Sequence, residues 1–262
     1  MTLACAVLFT TLTAASARAE TRNEVVVFAA TSLREAFGRI AERFAKQHGG
    51  AHVVLNLAGS PELVTQIENG ALADVFACAD RAQMSRLEQS RLVATPRIFA
   101  ANEPVIVAAP GNPATITALR DLPLASRIVL GTPEVPIGRY ARAILGRADK
   151  LYDADFRRRV EERVVSNELN VRQVLAKVAL GEADAGIVYR TDVAAARDPL
   201  EVVRIPAEVN VLAEYPIATL AKAPHPELAR AWVELVTSAT GGDILADLGF
   251  LPAGGGAVSR AP

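Results

Sequence analysis

Two serines stand where a predicted strand passes into a predicted helix. Ser32 follows the apolar run Val25–Phe28, and Ser60 follows a second apolar run and precedes Pro61. Both have the spacing of a helix N-cap, a position that favours serine. A hydroxyl beside the free N–H groups and the positive end of a helix is also an arrangement that binds anions. From the residues alone, each serine is explained equally well by a simple cap and by an anion site.

Further candidate positions follow later strands. Pro136 and Gly138 shape a tight entry into a predicted helix, and Asn170 is a plausible cap for another. Tyr189 ends an apolar strand, so its hydroxyl could donate into a cleft at the strand's end. Taken alone, this tyrosine is better explained as a packed aromatic residue whose tip is solvated.

The elements that must position these residues alternate between strand and helix. Short apolar runs followed by segments of helical period predict βαβ units and largely parallel sheets. Two such series follow one another with no flexible linker, which predicts two α/β lobes around a cleft. The boundaries we predict are 20–105 with 212–262 for one lobe and 106–211 for the other. Ligands of such sheets bind at the carboxyl ends of the strands, where the candidate residues stand.

Composition excludes several classes of protein. The chain has 262 residues, of which 51% are hydrophobic, and its 28 Lys and Arg against 29 Asp and Glu give a net charge of −1. Without a basic surplus we expect no nucleic-acid partner. The histidines and cysteines lack metal-ligand spacing, so we expect no bound metal cation and no cofactor. Neither Cys78 nor any histidine lies near the serines in the motif order, so we predict that the chain is not an enzyme.

The N-terminus has the character of an export signal. Residues 1–16 are apolar and uncharged, and Ala17-Arg18-Ala19 is a small-x-small cleavage motif, so we predict a signal peptide over 1–19 and a periplasmic location. Because no Lys or Arg precedes the apolar run, either the signal is atypical or translation starts upstream. Cleavage would remove Cys5 and leave Cys78 as the single cysteine, which we expect to be a small buried hydrophobic residue.

Six segments together carry a resemblance to a known family. They are similar, in this order, to the periplasmic molybdate-binding proteins of ABC transporters, and the likeness spans roughly residues 24 to 251. The resemblance implies a two-lobed periplasmic binding protein fold of type II-like character, with the ligand in a cleft between the lobes. The segments are Phe28–Leu33, Ala73–Ala77, Val135–Ala141, Asn170–Arg172, Ala185–Tyr189 and Glu214–Ile217.

The resemblance also implies a ligand and its contacts. The chain is expected to be a monomer that captures molybdate, and tungstate with it, and delivers the oxyanion to a membrane permease. Ser32 and Ser60 would bind it with hydroxyls and amides, Ile137 and Val171 with their amides, and Tyr189 with its hydroxyl. Two alternatives stay open, namely another tetrahedral oxyanion such as sulfate, and an oxyanion-sensing domain that feeds a receptor.

This chain departs from the family pattern at several of these places. Ile137 stands where alanine is usual, so its side chain either narrows the pocket or points away from it. Thr31 replaces an alanine beside Ser32, Cys78 stands where serine is common, and fewer serines surround Ser60. These differences concern selectivity among oxyanions, because the expected contacts at Ile137 and Val171 need only a backbone N–H.

Overall fold

The computed structural model describes residues 23–196 and 200–254. The predicted signal peptide therefore lies outside the described residues. In chain order the strands are β1 (Glu24–Ala30), β2 (His52–Ala58), β3 (Val75–Ala77), β4 (Arg97–Asn102), β5 (Pro104–Ala108), β6 (Ile128–Gly131), β7 (Val164–Glu168), β8 (Ala185–Tyr189), β9 (Glu201–Arg204), β10 (Ala213–Thr219) and β11 (Leu251–Pro252).

Helices separate most of these strands, as the alternating pattern predicted. Two 3₁₀ turns, Thr31–Leu33 and Leu119–Leu124, accompany them. In the described part of the chain, no helix combines the length and the apolar character needed to cross a membrane. The helices are α1 (Arg34–Gln47), α2 (Ser60–Glu68), α3 (Arg81–Gln89), α4 (Pro136–Leu151), α5 (Phe156–Glu161), α6 (Val171–Ala179), α7 (Arg190–Ala194), α8 (Pro226–Thr237) and α9 (Ala239–Asp247).

The strands form two separate sheets. The larger has the order β11-β4-β10-β3-β1-β2, and the smaller has the order β7-β6-β8-β5-β9. In the larger sheet β1 runs parallel to β2 and β3, while β10 is antiparallel to its neighbours. In the smaller sheet β6 runs parallel to β7 and β8, whereas β5 is antiparallel to β8 and β9. We call the part built on the larger sheet lobe 1 and the part built on the smaller sheet lobe 2.

The chain crosses between the sheets twice. It leaves the larger sheet after Asn102 and enters the smaller at Pro104, and it returns between β9 and β10. Pro104 and Val105 pair with Tyr189 and Val188, so these two residues belong to the smaller sheet. The predicted domain boundaries at 105/106 and 211/212 stay a prediction. The chain passes from the larger sheet to the smaller about two residues before the first of these boundaries.

Each lobe has an apolar interior that fixes its helices to its sheet. In lobe 1, α1 turns Phe37 and Phe44 inward, and each ring meets the edge or face of Trp232 at a centroid distance of 5.4 Å. In lobe 2, α6 packs so closely on β8 that a Cβ at Gly186 would lie 3.0 Å from the Val174 side chain. This packing holds the first turn of each helix at the carboxyl end of a strand.

Candidate functional site

A small cavity lies between the two lobes. Its empty volume is about 240 Å³, part of it open to solvent. The enclosed part of the cavity is only about 20 Å³, far below the roughly 300–1,000 Å³ of clefts that take drug-sized ligands, so this cavity suits a small ligand. Four of the five predicted site residues line it: Ser60, Ile137, Val171 and Tyr189. The full lining is Ala30, Thr31, Ala58, Gly59, Ser60, Ala79, Val135, Pro136, Ile137, Asn170, Val171 and Tyr189.

Four helix beginnings meet at this cavity. They are the 3₁₀ turn before α1 and the first residues of α2, α4 and α6, two from each lobe. The first turn of a helix has N–H groups without an intrahelical partner and carries partial positive charge. No side chain caps the 3₁₀ turn, α2 or α4. Their N–H groups are therefore available to an anion.

Asn170 differs from the other three helix beginnings. It caps α6 as the sequence predicted, because its side-chain oxygen accepts the Gln173 N–H at 3.1 Å. The cap satisfies the Gln173 N–H, whereas the Val171 N–H, two residues earlier, has no backbone acceptor among the described residues. Asn170 thus fixes the helix start while Val171 keeps its donor.

The Ser60 hydroxyl does not cap α2, and its proton is available for a hydrogen bond to a ligand. The sequence predicted it as the N-cap of α2, and this was wrong, because the helix already begins at Ser60 with Gly59 before it. The Ser60 hydroxyl oxygen accepts the N–H of Ala79 through a long hydrogen bond of 3.4 Å. Since the oxygen is the acceptor in that bond, the hydroxyl proton is free to donate into the cavity.

Tyr189 ends β8 and lines the cavity. The side chain is 1% exposed, and its oxygen has no hydrogen-bond partner among the described residues. Burial raises the pKa of this phenol well above its ordinary value, with neighbouring tyrosines and carboxylates adding to the shift. The hydroxyl therefore stays protonated near neutral pH. A buried donor without an acceptor is costly, and a bound anion would supply the acceptor.

Ser32 stands apart from the other predicted site residues. Its hydroxyl lies 3.0 Å from the Tyr215 hydroxyl, and its surface faces a different, larger cleft that also borders Glu35 and Thr191. The predicted N-cap role was wrong, because Ser32 sits inside the 3₁₀ turn and its hydroxyl is taken by Tyr215 instead of a helix amide. Its neighbour Thr31 lines the cavity, and the role of Ser32 in binding stays a prediction.

The bulky side chain of Ile137 packs in the apolar core of the protein. The side chain is 1% exposed and belongs to the apolar core, and its Cγ2 lies 3.0 Å from the position a Cβ on Gly131 would take. Because residue 131 is a glycine, the side chains of Ile137 and Val135 and the backbone at Gly138 can pack against it inside lobe 2. Ile137 also lines the cavity, and the contact of its backbone N–H with an anion stays a prediction.

The lining of the cavity contains hydroxyls, amides and apolar groups but no ionised side chain among the described residues. Ion pairs between the two lobes lie outside the lining of the cavity. Asp80 of lobe 1 pairs with Arg139 of lobe 2, and Glu35 of lobe 1 pairs with Arg172 of lobe 2. Arg172 also holds Asp192, with Nε 2.9 Å from the carboxylate.

Asp192 is the most perturbed of these charged groups. Its side chain is fully buried, and this burial raises its pKa to about 7 even though the Arg172 guanidinium opposes the shift. The nearby Glu35 carboxylate raises the pKa further. Sequence reasoning did not single out the interlobe charges, because each ion pair joins residues far apart in the chain.

An arrangement of donors without acceptors suits a particular ligand chemistry. A tetrahedral oxyanion without protons accepts hydrogen bonds at every oxygen, so each donor around the cavity finds a partner. An anion that carries an O–H would have to donate it to a hydroxyl or amide oxygen of the lining, because no carboxylate among the described residues lines the cavity, and that group would then be lost as a donor to the anion. The cavity therefore favours fully deprotonated oxyanions over hydrogen phosphate.

Comparison with known proteins agrees with this chemistry. The family model described as bacterial extracellular solute-binding protein matches residues 25–251. The chain belongs to this family. Its two-lobed α/β fold, with a cavity between two sheets, is the architecture that the sequence predicted, and that prediction is confirmed.

Individual relatives extend the comparison. The molybdate-binding protein ModA of Mycobacterium tuberculosis is 42% identical over 230 residues, which cover 87% of this chain and 84% of the relative. A solved substrate-binding domain of a putative molybdenum ABC transporter from Clostridium difficile is 28% identical, with a TM-score of 0.65 over 87% of this chain and 98% of that one. The sulfate-binding protein SubI of M. tuberculosis superposes with a TM-score of 0.79, covers 88% of each chain, and shares the fold alone at 19% identity.

Proposed function

We propose that this solute-binding protein captures molybdate, and tungstate with it, outside the cytoplasm and delivers it to an ABC permease. The observation that carries the proposal is the cavity where four helix beginnings from two lobes meet, lined also by Tyr189, whose buried hydroxyl has no hydrogen-bond partner among the described residues. The identity to ModA proteins over most of the chain supports molybdate as the ligand. Ser60, Ile137, Val171 and Tyr189 are the contacts proposed from the cavity, with Ser32 as a fifth.

Release to a permease suits a site without ionised side chains. Aligned dipoles and neutral donors spread the counter-charge over both lobes, so the anion is held only while both halves of the site are together. When the lobes separate, the donors of one lobe leave and binding weakens. We infer that the protein works as a monomer, binds no cofactor and catalyses no reaction.

The proposal includes export. Membership of an extracellular family supports a location outside the cytoplasm, and residues 1–19 are the segment we propose as a signal peptide for the periplasm. The sensing alternative uses the same site and differs only in the partner, which would be a receptor instead of a permease.

Sulfate is the main rival ligand, because neither the donors of the cavity nor the fold excludes it. It carries no proton near neutral pH, so the donor set does not exclude it, and the fold is shared with a sulfate-binding protein. Discrimination must come from size, because the shorter S–O bonds leave donors on opposite walls out of reach.

A thermal melt of residues 20–262 with molybdate, tungstate, sulfate and phosphate in turn tests the proposal. At about 100 times the dissociation constant, a true ligand adds roughly 2.7 kcal/mol of stability. For a chain of this size we expect a rise in Tm of about 5–10 °C with molybdate and with tungstate. A rise with sulfate alone would show that the ligand is sulfate, and no rise with any anion would contradict the proposal.

Tyr189→Phe is the matched control for this melt. The substitution removes the unpartnered hydroxyl and keeps the ring, so the protein without anion should be as stable as the wild type or slightly more so. The stabilisation by molybdate should shrink, because one donor to the anion is gone. A full molybdate shift in this variant would remove Tyr189 from the proposed contacts.

A further inference from the structure

Two backbone segments from opposite lobes meet beside the cavity at Gly59 and Leu169. A Cβ added to Gly59 would lie 2.3 Å from the carbonyl oxygen of Leu169, 3.5 Å from its carbonyl carbon and 3.8 Å from the Cβ of Asn170. Real Cβ atoms essentially never come closer than 3.0 Å to such an atom. Because the obstacle is a backbone oxygen and not a flexible side chain, any other residue at 59 would push the segments apart.

The local conformation gives no reason for glycine at this position. Gly59 has φ −62° and ψ 140°, which is an extended conformation open to every residue. It is also the N-cap of α2, where serine, aspartate or asparagine would stabilise the helix more. The contact with lobe 2 is therefore the feature of the fold that requires a residue without a side chain.

The segment that touches Gly59 also carries part of the proposed site. Asn170 and Val171 follow Leu169 directly and line the cavity, and Arg172 pairs with Glu35 of lobe 1. The segment Leu169–Arg172 is thus seated on lobe 1 at both ends, by a backbone contact and by an ion pair. Its distance from lobe 1 fixes the distance between the Val171 N–H and the Ser60 hydroxyl.

We propose that Gly59 determines how far the lobes close, and through this the size of anion that the site holds best. This inference rests on the proposed function, because it concerns the same cavity. Gly59 acts as a specificity-determining residue through Leu169 and Val171 and makes no side-chain contact with the anion. With a Cβ at 59, the donors of lobe 2 stop short of the anion. A small anion such as sulfate then loses more contacts than molybdate, because it cannot span the wider gap.

Calorimetric titration with molybdate and sulfate tests this in wild type, Gly59→Ala and Gly38→Ala. Gly38 lies in α1 of the same lobe, and a Cβ there would meet nothing within 4 Å. We expect Gly59→Ala to weaken molybdate binding about tenfold or more, the loss expected for one stretched hydrogen bond to a charged group. Sulfate should lose more than molybdate, and Gly38→Ala should bind both anions as the wild type does.

Small-angle scattering supplies a readout that a merely structural role would not change. The radius of gyration of the wild type should fall on saturation with molybdate, and that of saturated Gly59→Ala should fall less. Gly59→Ser serves as a second variant, since serine is a favoured N-cap and should fold well while still carrying a Cβ. Both Gly59 variants should melt near the wild type when no anion is present.

The failures of the two proposals are distinguishable. If the wild type binds neither molybdate nor sulfate, the proposed function fails and this inference fails with it. If the wild type binds and both Gly59 variants bind as tightly and compact as much, the inference about Gly59 alone is overturned.

Discussion

The two lobes meet the cavity with different kinds of chemistry. The lining hydroxyls of lobe 1 belong to Thr31 and Ser60, whereas the contacts proposed for lobe 2 are the backbone amides of Ile137 and Val171 and the phenol of Tyr189. The outer charges divide in the same way, since the carboxylates of the interlobe ion pairs lie on lobe 1 and the arginines on lobe 2.

The difference between hydroxyl donors and backbone donors determines how well each half of the site tolerates substitutions. A backbone N–H survives substitution by any residue other than proline, and the side chain that comes with it can pack elsewhere, as the Ile137 side chain does in the core of lobe 2. A hydroxyl is lost by a single substitution. Lobe 1 should therefore be sensitive to alanine, whereas the backbone donors of lobe 2 can be removed only by proline.

The largest expected effect comes from a proline that removes a donor of lobe 2. Val171 is the first residue of α6, a position where proline is well tolerated because its N–H has no role inside the helix. Val171→Pro should lower molybdate affinity by about 1.5–3 kcal/mol, the range for hydrogen bonds to charged groups. Val171→Ala keeps the N–H and should bind normally in the same titration. Equal affinities in the two variants would show that this amide does not bind the anion.

Alanine at the serines of lobe 1 gives the next effect. Ser60→Ala and Ser32→Ala should each lose roughly 1–3 kcal/mol of molybdate binding. Ser32→Ala should also destabilise the protein without anion more than Ser60→Ala does, because the Tyr215 hydroxyl loses a 3.0 Å partner whereas the Ala79 N–H loses only a long bond of 3.4 Å. Calorimetric titration and denaturant unfolding of both variants separate the two roles. Wild-type affinity in both would contradict the assignment of the hydroxyls.

A buried acid in lobe 2 should make the stability of the protein depend on pH. Asp74 of lobe 1 accepts three hydrogen bonds, from Val26 and from the backbone and ring of His225, whereas Asp192 of lobe 2 relies on Arg172. Burial raises the pKa of Asp192 to about 7, above the ordinary value of about 3.9. The folded state then holds a proton that the unfolded state has lost, so stability falls as pH rises from about 4 to about 7 and levels above that.

Asp192→Asn tests this assignment. Between pH 5 and pH 8 the wild type should lose roughly 2–3 kcal/mol more unfolding free energy than the variant, because one group contributes at most about 1.4 kcal/mol per pH unit between pH 5 and its pKa of about 7. Urea unfolding of both proteins at several pH values measures the difference, and other titrating groups cancel in it. Parallel pH curves would show that Asp192 is ionised throughout.

The smallest effect concerns the ion pair between the lobes. The Glu35 carboxylate is 34% exposed, so Glu35→Gln should weaken binding by about 0.3–1 kcal/mol, mainly through faster dissociation, and less at high salt. Glu68→Gln is the matched control, because Glu68 is 32% exposed and pairs with Arg86 inside lobe 1. Stopped-flow dissociation rates that change equally in both variants would contradict a role in closure.

The sequence predicted the parts of the site that depend on residues close to one another in the chain. A strand followed by a helix places Ser60, Ile137, Val171 and Tyr189 at strand ends, and all four line one cavity. The Asn170 cap depends on the next few residues and was also predicted correctly. Both serine caps were wrong, because small shifts of a helix start and a competing partner decide them.

What escaped prediction depends on contacts between distant parts of the chain. Ser32 and Tyr215 are 183 positions apart, and Arg172 and Glu35 are 137 apart, so no local pattern announces either contact. The approach of Gly59 to Leu169 also exists only once two lobes are folded and placed against one another. Glycine in a loop is too common to indicate such a contact by itself.

Crystals grown with molybdate give the most direct test of the account, through the anomalous scattering of molybdenum. We predict one strong anomalous peak in the cavity between the lobes, with oxygens in hydrogen-bond range of the Ser60 hydroxyl, the Val171 N–H and the Tyr189 hydroxyl. A peak outside this cavity, or no peak in crystals of the saturated protein, would contradict the central claim that the junction of the two lobes is an oxyanion site.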